Sequence, residues 1–316
     1  MANARAMRNF LSKIRVNEVT LSSSEDIKDS VCRTYQSLIS ESGDWRPSIN
    51  DLNFKELGEG VASILEVMFS EEEIFAALSS CCGDKAPGPD DFTIAFWLFC
   101  WDVVKPEILG LFKEFYLHGT FQRSLNSTFL LLIPQKEGAE DLRDFRPISL
   151  DAKMDIEKAF DHVNWDFLME VMSKMGFGHR WINWMKWCCS TATFSILING
   201  SPSGFFRSSR GLRQGGPLSP YLFLFAMEAL SQLLSCARNG GFISGFRVGG
   251  RGREGLIMSH LLFADDTLIF CDAKADQLQY LSWTFMWFEA ISGLKVNLSK
   301  TEAFPVGKAF LWRPSL

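Results

Sequence analysis

The spacing of apolar residues predicts a series of helices and strands along the first half of the chain. Ser70 and Glu73 form a capping-box pattern at the start of a helix that ends near Gly83. A second helix is predicted through the apolar stretch FTIAFWLFCWDVV, and FLLLIPQKEGAEDLRDFRPISL predicts two strands joined by a charged loop. Residues 1–53 come before these elements and are predicted to form a helical leader.

Helical and extended patterns alternate in the second half. The stretch HVNWDFLMEVMSKMG predicts a helix with Asn164 as N-cap, Gly176 as C-cap and one apolar face, formed by Val163, Phe167, Leu168, Val171, Met172 and Met175. A hairpin is predicted around Asn199-Gly200, and a buried helix begins at Pro220. Helices packed on an antiparallel sheet make the predicted fold class α+β.

The stretch SHLLFADDTLIFCD places two adjacent carboxylates, Asp265 and Asp266, between two apolar runs. Leu261–Ala264 and Thr267–Phe270 each predict a short buried strand, which puts the pair at a hairpin tip, where Asp is tolerated. A second pair, Asp90-Asp91, lies in APGPDDFT and lacks such flanking strands. The flanking pattern is therefore what makes the first pair a candidate site.

Composition favours a soluble intracellular protein. The chain has 316 residues, of which 47% are hydrophobic, enough for a substantial core. Its longest fully apolar stretches, near Ile94–Trp101 and Tyr221–Met227, are shorter than the ~18 residues of a membrane span, and the basic N-terminus lacks the apolar region of a secretory signal. The eight cysteines show no zinc-type spacing, so we expect reduced, mostly buried thiols in a nuclear or cytoplasmic protein with no membrane partner.

A formal charge of −5 excludes a uniformly basic coat for nucleic acid, although local clusters can differ. One cluster in FRSSRGLRQGG is a candidate contact for nucleic acid, and it consists of Arg207, Arg210 and Arg213. The cluster in GFRVGGRGREG is better interpreted as a solvated loop, and it consists of Arg247, Arg251 and Arg253.

A third carboxylate, Asp155, stands between a short extended run and a helix in AKMDIEKAFDHVNWDFL. If Asp155 meets Asp265 and Asp266, each like-charge contact near 4 Å costs about 4 kcal/mol at an effective dielectric of 20. Such a site requires cations, and all-oxygen ligands suit Mg²⁺. Two ions in one site could support an in-line phosphoryl transfer.

Seven segments, taken in order, resemble reverse transcriptases of plant non-LTR (long interspersed) retrotransposons. KAPGPDDFT, LLIPQKEG and DFRPISL are similar to the fingers motifs of that family, and MDIEKAFDHVNWDFL, GLRQGGPLSPYLFLFAMEALS, HLLFADDTLIF and SGLKVNLSKTE are similar to its palm motifs. The resemblance covers roughly Phe54 to Glu302. It implies a right-hand polymerase with fingers and an antiparallel palm sheet, acting as an RNA-directed DNA polymerase.

The resemblance implies that Asp155 and Asp265 bridge two Mg²⁺ ions, with Mn²⁺ as an alternative metal. Asp266 would lie alongside, and the carbonyl of Ile156 is a candidate further ligand. The implied partners are an RNA template, a DNA primer and deoxynucleotides, with the primer 3′-hydroxyl attacking the α-phosphate.

Phe160 occupies the position of the family's steric gate, where a bulky ring disfavours a ribose 2′-hydroxyl, and without the family it would be interpreted as a core residue. Gln214 and Gly215 would contact the incoming nucleotide and template, with Arg213 near the phosphates. The local alternative for GLRQGGPL is a Gly-Pro turn that opens a helix, and both interpretations can hold together.

Three further cations have implied roles at the triphosphate. Lys136 and Arg146 would grip it, because Lys and Arg neutralise the charge that phosphoryl transfer rearranges. Lys295 would protonate the departing pyrophosphate, with Lys300 a weaker candidate. The alternative for Lys136 and Arg146 is a solvated loop cation.

The chain also departs from the family pattern. Several dozen residues normally separate RPISL from DAKMDIEKAFD, whereas here Leu150 and Asp151 are adjacent. Asp91 replaces a loop Gly, and Gln135 replaces a basic residue. We expect truncated fingers at 54–150, a palm at 151–305, a tail at 306–316, no thumb and no preceding endonuclease domain.

Two rival functions stay open from the sequence. The chain could be a catalytically silent remnant that at most binds nucleic acid through the Arg207 to Arg213 region. It could also be a metal-dependent phosphohydrolase that uses the same three carboxylates, but this leaves Phe160 and GLRQGGPL without a role.

Overall fold

The computed structural model of the protein describes residues 11–41, 45–81, 83, 92–134, 136, 138–149, 159–213, 216, 218–248, 256–263, 266–296 and 301. Its strands are β1 (Ile14–Val16), β2 (Val19–Leu21), β3 (Ser127–Pro134), β4 (Phe145–Ser149), β5 (Thr193–Ile198), β6 (Ser201–Arg207), β7 (Phe246–Val248), β8 (Leu256–Met258), β9 (His260–Phe263) and β10 (Asp266–Ile269). Its α-helices are α1 (Ser24–Leu38), α2 (Glu59–Ile64), α3 (Glu71–Ser80), α4 (Ile94–Phe99), α5 (Trp101–His118), α6 (Trp165–Lys174), α7 (His179–Ser190), α8 (Ser219–Asn239) and α9 (Ala275–Ser292). Short 3-10 helices lie at Arg123–Asn126, Leu142–Asp144 and Ala159–His162.

The largest described sheet has four strands in the order β4-β3-β5-β6 and is mixed. β3 pairs antiparallel with β4 but parallel with β5, so the predicted antiparallel sheet is wrong for this pairing. A parallel neighbour requires a long crossover, and here β4, α6 and α7 separate β3 from β5 in the chain. The mixture of helix and sheet agrees with the predicted α+β class.

A second layer of helices forms the larger core. α6 packs on α7, α8 and α9, and the fully buried side chains include Leu168, Trp184, Leu234 and Ile291. α8 is, within the described residues, the one helix long and apolar enough to cross a membrane. Its buried residues recur along most of its length and pack into this core, so it acts as the central helix of the domain.

The N-terminal segment is only partly the helical leader that its sequence predicts. α1 is helical, but an antiparallel hairpin of β1 and β2 comes before it, with Asn17 and Glu18 at positive φ in the turn. Ile14 and Val31 are fully buried in a core that this segment shares with the four-stranded sheet. The alternation of apolar and polar residues at Ile14–Val16 spans too few positions to be distinguished from a helical period.

Several local predictions are confirmed. Ser70 and Glu73 form the reciprocal capping box of α3, and the Asn164 side chain accepts a hydrogen bond from the Phe167 N–H. Asn199 and Gly200 both have positive φ in the tight turn between β5 and β6.

Two local predictions need correction. The helix predicted through FTIAFWLFCWDVV is broken at Cys100 into α4 and α5. β9 and β10 form the predicted hairpin, but they are not buried strands, because Leu261 is 48% exposed and Leu268 is 52% exposed. Alternate side chains point to opposite faces, and it is Leu262 and Ile269 that pack against the core.

Candidate active site

The β9–β10 hairpin is the element on which the predicted metal ligands lie. Phe263 pairs with Asp266, which leaves positions 264 and 265 as the connection. Asp265 lies outside the described residues, and so does the side chain of Asp266, whose backbone opens β10. The predicted hairpin is therefore confirmed, whereas the position of its carboxylates stays a prediction.

His260 ties this hairpin to α8. Its Nε2 lies 2.9 Å from the Ser231 Oγ on α8, and its Nδ1 lies 2.9 Å from the Ser259 Oγ. Burial lowers the pKa of His260, and the positive charge of Arg238 lowers it further. The imidazole thus lies between two hydroxyl groups in a setting that disfavours its charged form, a role that the sequence did not reveal.

The 3-10 helix at Ala159–His162 follows the predicted first metal ligand. Asp155 and Ile156 lie outside the described residues, as does the side chain of Phe160. Asp161, one residue later, is buried. The structure therefore describes the backbone of the residues that follow Asp155 and Ile156 from position 159 onward. The steric-gate role of Phe160 stays a prediction.

Gly211 brings the GLRQGGPL segment against that 3-10 helix. Its N–H donates to the Val163 carbonyl over 2.8 Å, and its own carbonyl accepts a hydrogen bond from the Trp165 indole. A Cβ on Gly211 would lie 2.6 Å from the Asp161 carbonyl oxygen, and φ is +86°. Only glycine meets both conditions, because other residues would clash and rarely adopt this conformation.

Arg213 continues the same segment and connects it to the sheet. Its Nη2 donates to the Thr128 Oγ1 of β3 over 2.9 Å, while its carbonyl accepts a hydrogen bond from the Ser219 hydroxyl at the start of α8. This part of the chain is a turn that opens a helix, as predicted. Gln214 and Gly215 lie outside the described residues, so their contacts with nucleotide and template stay predictions.

The end of α9 meets the same 3-10 helix from another side. The Asn164 N–H donates to the Ser292 carbonyl over 2.9 Å, and a Cβ on Gly293 would lie 2.7 Å from the His162 carbonyl oxygen. Lys295 follows two residues later and is exposed. Three of the predicted palm motifs therefore converge through backbone contacts around residues 159–164.

The predicted triphosphate cations lie on the β3–β4 ribbon. Lys136 follows β3, is 63% exposed and forms an ion pair with Asp144 at 3.0 Å. Arg146 lies in β4 opposite Ile133, and its side chain is outside the described residues. An exposed ion pair of this kind is weak, so Lys136 can exchange Asp144 for a phosphate.

A network of hydrogen bonds and an ion pair joins the N-terminal segment to this site. Arg46 donates to the Glu41 carboxylate over 2.6 Å and to the Ala290 carbonyl over 3.0 Å, and the Asn164 amide donates to the same carboxylate. Burial alone would raise the pKa of Glu41, but the hydrogen bonds from Asn164 and Arg46 outweigh it and lower the pKa. No local pattern marks Arg46 or Glu41, so the sequence could not predict this contact.

The arginine cluster of FRSSRGLRQGG has partly structural roles. The Arg210 guanidinium donates twice to the Leu38 carbonyl at the end of α1, and the backbone N–H of Arg210 donates to the Ile39 carbonyl. Cations at a helix C-terminus interact favourably with the helix dipole. The predicted nucleic-acid contact at this cluster stays a prediction.

A family comparison establishes what these converging motifs belong to. Residues 121–311 match the family model described as reverse transcriptase (RNA-dependent DNA polymerase). The chain belongs to this reverse transcriptase family. The match runs from before β3 beyond α9, and it therefore contains the Gly211 contact, the hairpin and the end of α9.

Several relatives of this reverse transcriptase come from R2 retrotransposable elements. The chain is 23% identical over 279 residues to a Pol polyprotein of Nasonia vitripennis (70% of this chain, 24% of the relative). It is 30% identical over 156 residues to a Pol polyprotein from element R2DM of Drosophila melanogaster (49% of this chain, 13% of the relative). These similarities support a reverse transcriptase of a non-LTR element.

Another relative matches a shorter part of the chain at a higher sequence identity. An uncharacterized mitochondrial protein of Arabidopsis thaliana is 51% identical over 72 residues (23% of this chain, 57% of the relative). The chain thus spans from about an eighth to somewhat over half the length of these three relatives.

The metal site that the resemblance implies would depend on residues beyond those described. Among the described residues, no group of three or more His, Cys, Asp or Glu side chains could hold a metal ion. The predicted set consists of three carboxylates and a carbonyl, and such all-oxygen ligands suit Mg²⁺ or Mn²⁺. The donor chemistry fits the metal that the family implies.

The described cysteines of the reverse transcriptase are all free thiols, but each is half-buried or exposed, so the expectation of mostly buried thiols is wrong for them. Burial raises the pKa of Cys188 to about 11 and that of Cys189 to about 12. Because the thiolate is the reactive form, burial disfavours reaction at these two neighbours.

Proposed function

We propose that this chain is the fingers and palm portion of an RNA-directed DNA polymerase from a plant non-LTR retrotransposon. The observation that carries the proposal is the backbone convergence at residues 159–164 of segments adjoining three polymerase motifs. The similarity to the Arabidopsis thaliana protein supports a plant origin. RNA template, DNA primer and deoxynucleotides would be its partners, within the nucleus or cytoplasm.

The three aspartates Asp155, Asp265 and Asp266 would hold two Mg²⁺ ions, with the Ile156 carbonyl as a further ligand. When bound, such ions stabilise the attacking and leaving oxygens of a phosphoryl transfer. The protein's own contribution is to hold the carboxylates in a fixed arrangement, because like charges this close repel one another in the absence of cations. The His260 tether to α8 would help to hold the hairpin in place.

The sugar and base of the nucleotide would contact the two segments joined at Gly211. Phe160 would exclude a ribose 2′-hydroxyl, while Gln214 and Gly215 would contact the nucleotide and the template. Arg213, whose guanidinium donates to the Thr128 hydroxyl, would stabilise phosphate charge.

The triphosphate would be bound by cations of the β3–β4 ribbon. Lys136 and Arg146 would neutralise its charge as the transfer proceeds. Lys295, exposed after α9, would donate a proton to the departing pyrophosphate.

A second candidate is a catalytically silent remnant that retains nucleic-acid binding. The observation in its favour is the direct junction of Leu150 and Asp151, where the family has several dozen residues. Such a loss removes surface that grips the template and shortens the strand leading to Asp155.

Primer extension on an RNA template distinguishes the two candidates. The parent protein, Asp265→Asn and the control Asp272→Asn would be compared with deoxynucleotides and Mg²⁺. Asp272 lies just beyond β10 in an exposed ion pair with Lys274, so its variant changes the same charge outside the proposed site. Extension by the parent and the control, but not by Asp265→Asn, supports the polymerase.

Two other outcomes would point elsewhere. Absence of extension by a folded parent favours the remnant. Release of nucleotide without primer growth favours a phosphohydrolase. In an active parent, Phe160→Ala should increase ribonucleotide incorporation, and an unchanged preference for deoxynucleotides would remove the gating role.

A further inference from the structure

An open groove lies between the end of α5 and the outward face of α7. It has a volume of about 770 Å³, and its walls include Tyr116 and His118 from α5 and His179, Arg180, Lys186 and Trp187 from α7. α7 packs on α6, α6 packs on α8, and α8 carries the β9–β10 hairpin. The contacts that connect this groove to the hairpin of the proposed active site therefore run through α7, α6 and α8.

Two cations line the groove in a chain of net negative charge. Among the described residues, these lining cations are Arg180 and Lys186, and the one acidic lining residue is Glu66. The Glu66 carboxylate accepts a hydrogen bond from the Trp181 N–H over 2.9 Å, at the N-terminus of α7. Its charge is thus partly offset by the positive end of that helix, which leaves the groove to attract anions.

The two cations are available to a ligand. Lys186 is 58% exposed, and its nearest carboxylate, Asp166, is 3.7 Å away in a surface pair that contributes little stability. Arg180 lies over the Tyr116 ring at 4.4 Å and is exposed to solvent. This contact orients the guanidinium without using its N–H donors, so they can bind phosphate oxygens.

Aromatic rings lie beside these cations. Trp184, only 1% exposed, lines the bottom of the groove, and the half-buried side chains of Tyr116 and Trp187 line its walls. Trp187 packs against Phe115 and Phe121, which fixes its ring. Fixed aromatic surfaces next to cations are the combination that binds single-stranded nucleic acid, because bases stack on the rings while cations contact the backbone.

We propose that this α5–α7 groove binds a single strand of nucleic acid, separately from the polymerase site. Arg180, held over the Tyr116 ring, and Lys186 would contact phosphates, and Trp187 would stack on a base. An accessory site of this kind would hold a template strand while the active site works on another part of it. The binding itself does not require polymerase activity.

The test compares two double charge reversals of equal size. Arg180→Glu with Lys186→Glu alters the groove, and Lys28→Glu with Arg33→Glu alters α1, which packs on β1 and β6. Binding of a fluorescent 12-nucleotide RNA would be measured by anisotropy without Mg²⁺ or deoxynucleotides. We expect the groove variant to lose roughly tenfold or more in affinity, and its log–log salt slope to fall by about 1.4, since two phosphate contacts are lost.

The control variant should keep most of the parent's affinity and salt slope. Equal losses in both variants, no binding by the parent, or equally tight binding of a duplex of the same sequence would overturn the proposal. Photo-cross-linking with 4-thiouridine RNA gives a second measurement on the parent. Cross-links at Tyr116 or Trp187 are expected, and cross-links confined to the β9–β10 hairpin or the β3–β4 ribbon would refute the groove.

The outcome is independent of the polymerase proposal. A parent that fails to extend primers can still bind RNA in the groove, which would leave this proposal intact. An active parent whose groove variant binds RNA like the control would reject the groove alone.

Discussion

The hydrogen bond between His260 and Ser231 offers a direct test of how the β9–β10 hairpin is held. Ser231→Ala removes the hydroxyl that lies 2.9 Å from the His260 Nε2. A net hydrogen bond contributes about 0.5–1.5 kcal/mol, and a polar atom left without a partner costs about 1–3 kcal/mol when fully buried. Because His260 is only half-buried and water can reach it, we expect Ser231→Ala to lower the free energy of unfolding by about 1 kcal/mol.

Ser235→Ala is the matched control. Ser235 lies one helical turn later on α8 and is also half-buried, but it has no side-chain hydrogen bond among those found within the described residues. Replacing it by Ala should leave stability unchanged or raise it slightly, since Ala is the better helix former. Urea unfolding at pH 8 would measure both variants, and equal free energies for the two would refute the tether.

The same histidine predicts a pH dependence. Burial lowers the pKa of His260 in the folded protein below its ordinary value of 6.5, so the unfolded chain binds more protons as the pH falls through that value. Stability is therefore highest above 6.5 and declines as the pH falls toward the lower folded pKa. His260→Gln should lose this part of the decline, and parallel pH curves for His260→Gln and the parent would contradict the lowered pKa.

Three further changes test contacts around the site by urea unfolding. Gly211→Ala should lower the free energy of unfolding by at least ~2 kcal/mol, because it combines a positive φ with a Cβ 2.6 Å from the Asp161 carbonyl oxygen. A loss below ~0.5 kcal/mol would contradict the close approach. Trp184→Ala should cost about 3–5 kcal/mol through the cavity it leaves in the aromatic core, and a small loss would mean that this core collapses around it. Arg46→Ala should lower the free energy of unfolding by about 1–3 kcal/mol at neutral pH, because it leaves Glu41 without its ion pair. Since the pKa of Glu41 is lowered in the folded protein, this loss should shrink as the pH falls below 4.5. A cost that did not change with pH would show that the charge of Glu41 is not involved.

Local signals predicted the parts of this fold that depend on neighbouring residues. The capping box at Ser70, the cap at Asn164 and the turn at Asn199-Gly200 each involve residues within a few positions of one another. The turn also fixed the pairing of β5 with β6. The hairpin at Asp265-Asp266 was predicted in the same way, from two short runs with a turn between them.

Contacts between distant parts of the chain were not predictable in this way. The parallel pairing of β3 with β5 depends on where α6 and α7 place the returning strand, which no short pattern encodes. The Arg46 contact with Ala290 joins residues that lie 244 positions apart. The exposed faces of β9 and β10 were misjudged because an apolar run does not reveal which alternate residues meet the core.

The junction of Leu150 and Asp151 raises two separate questions: whether the core folds, and whether Asp155 is correctly placed. A single activity measurement would combine them. On one side, β4 is held by its pairing with β3; on the other, residues 161–164 are held by Gly211 and by the end of α9. None of these contacts uses residues 150–158, so we expect the core to fold whatever the length of that connection. The position of Asp155, in contrast, depends on the connection itself. A protein that fails to fold would refute this independence of core and connection.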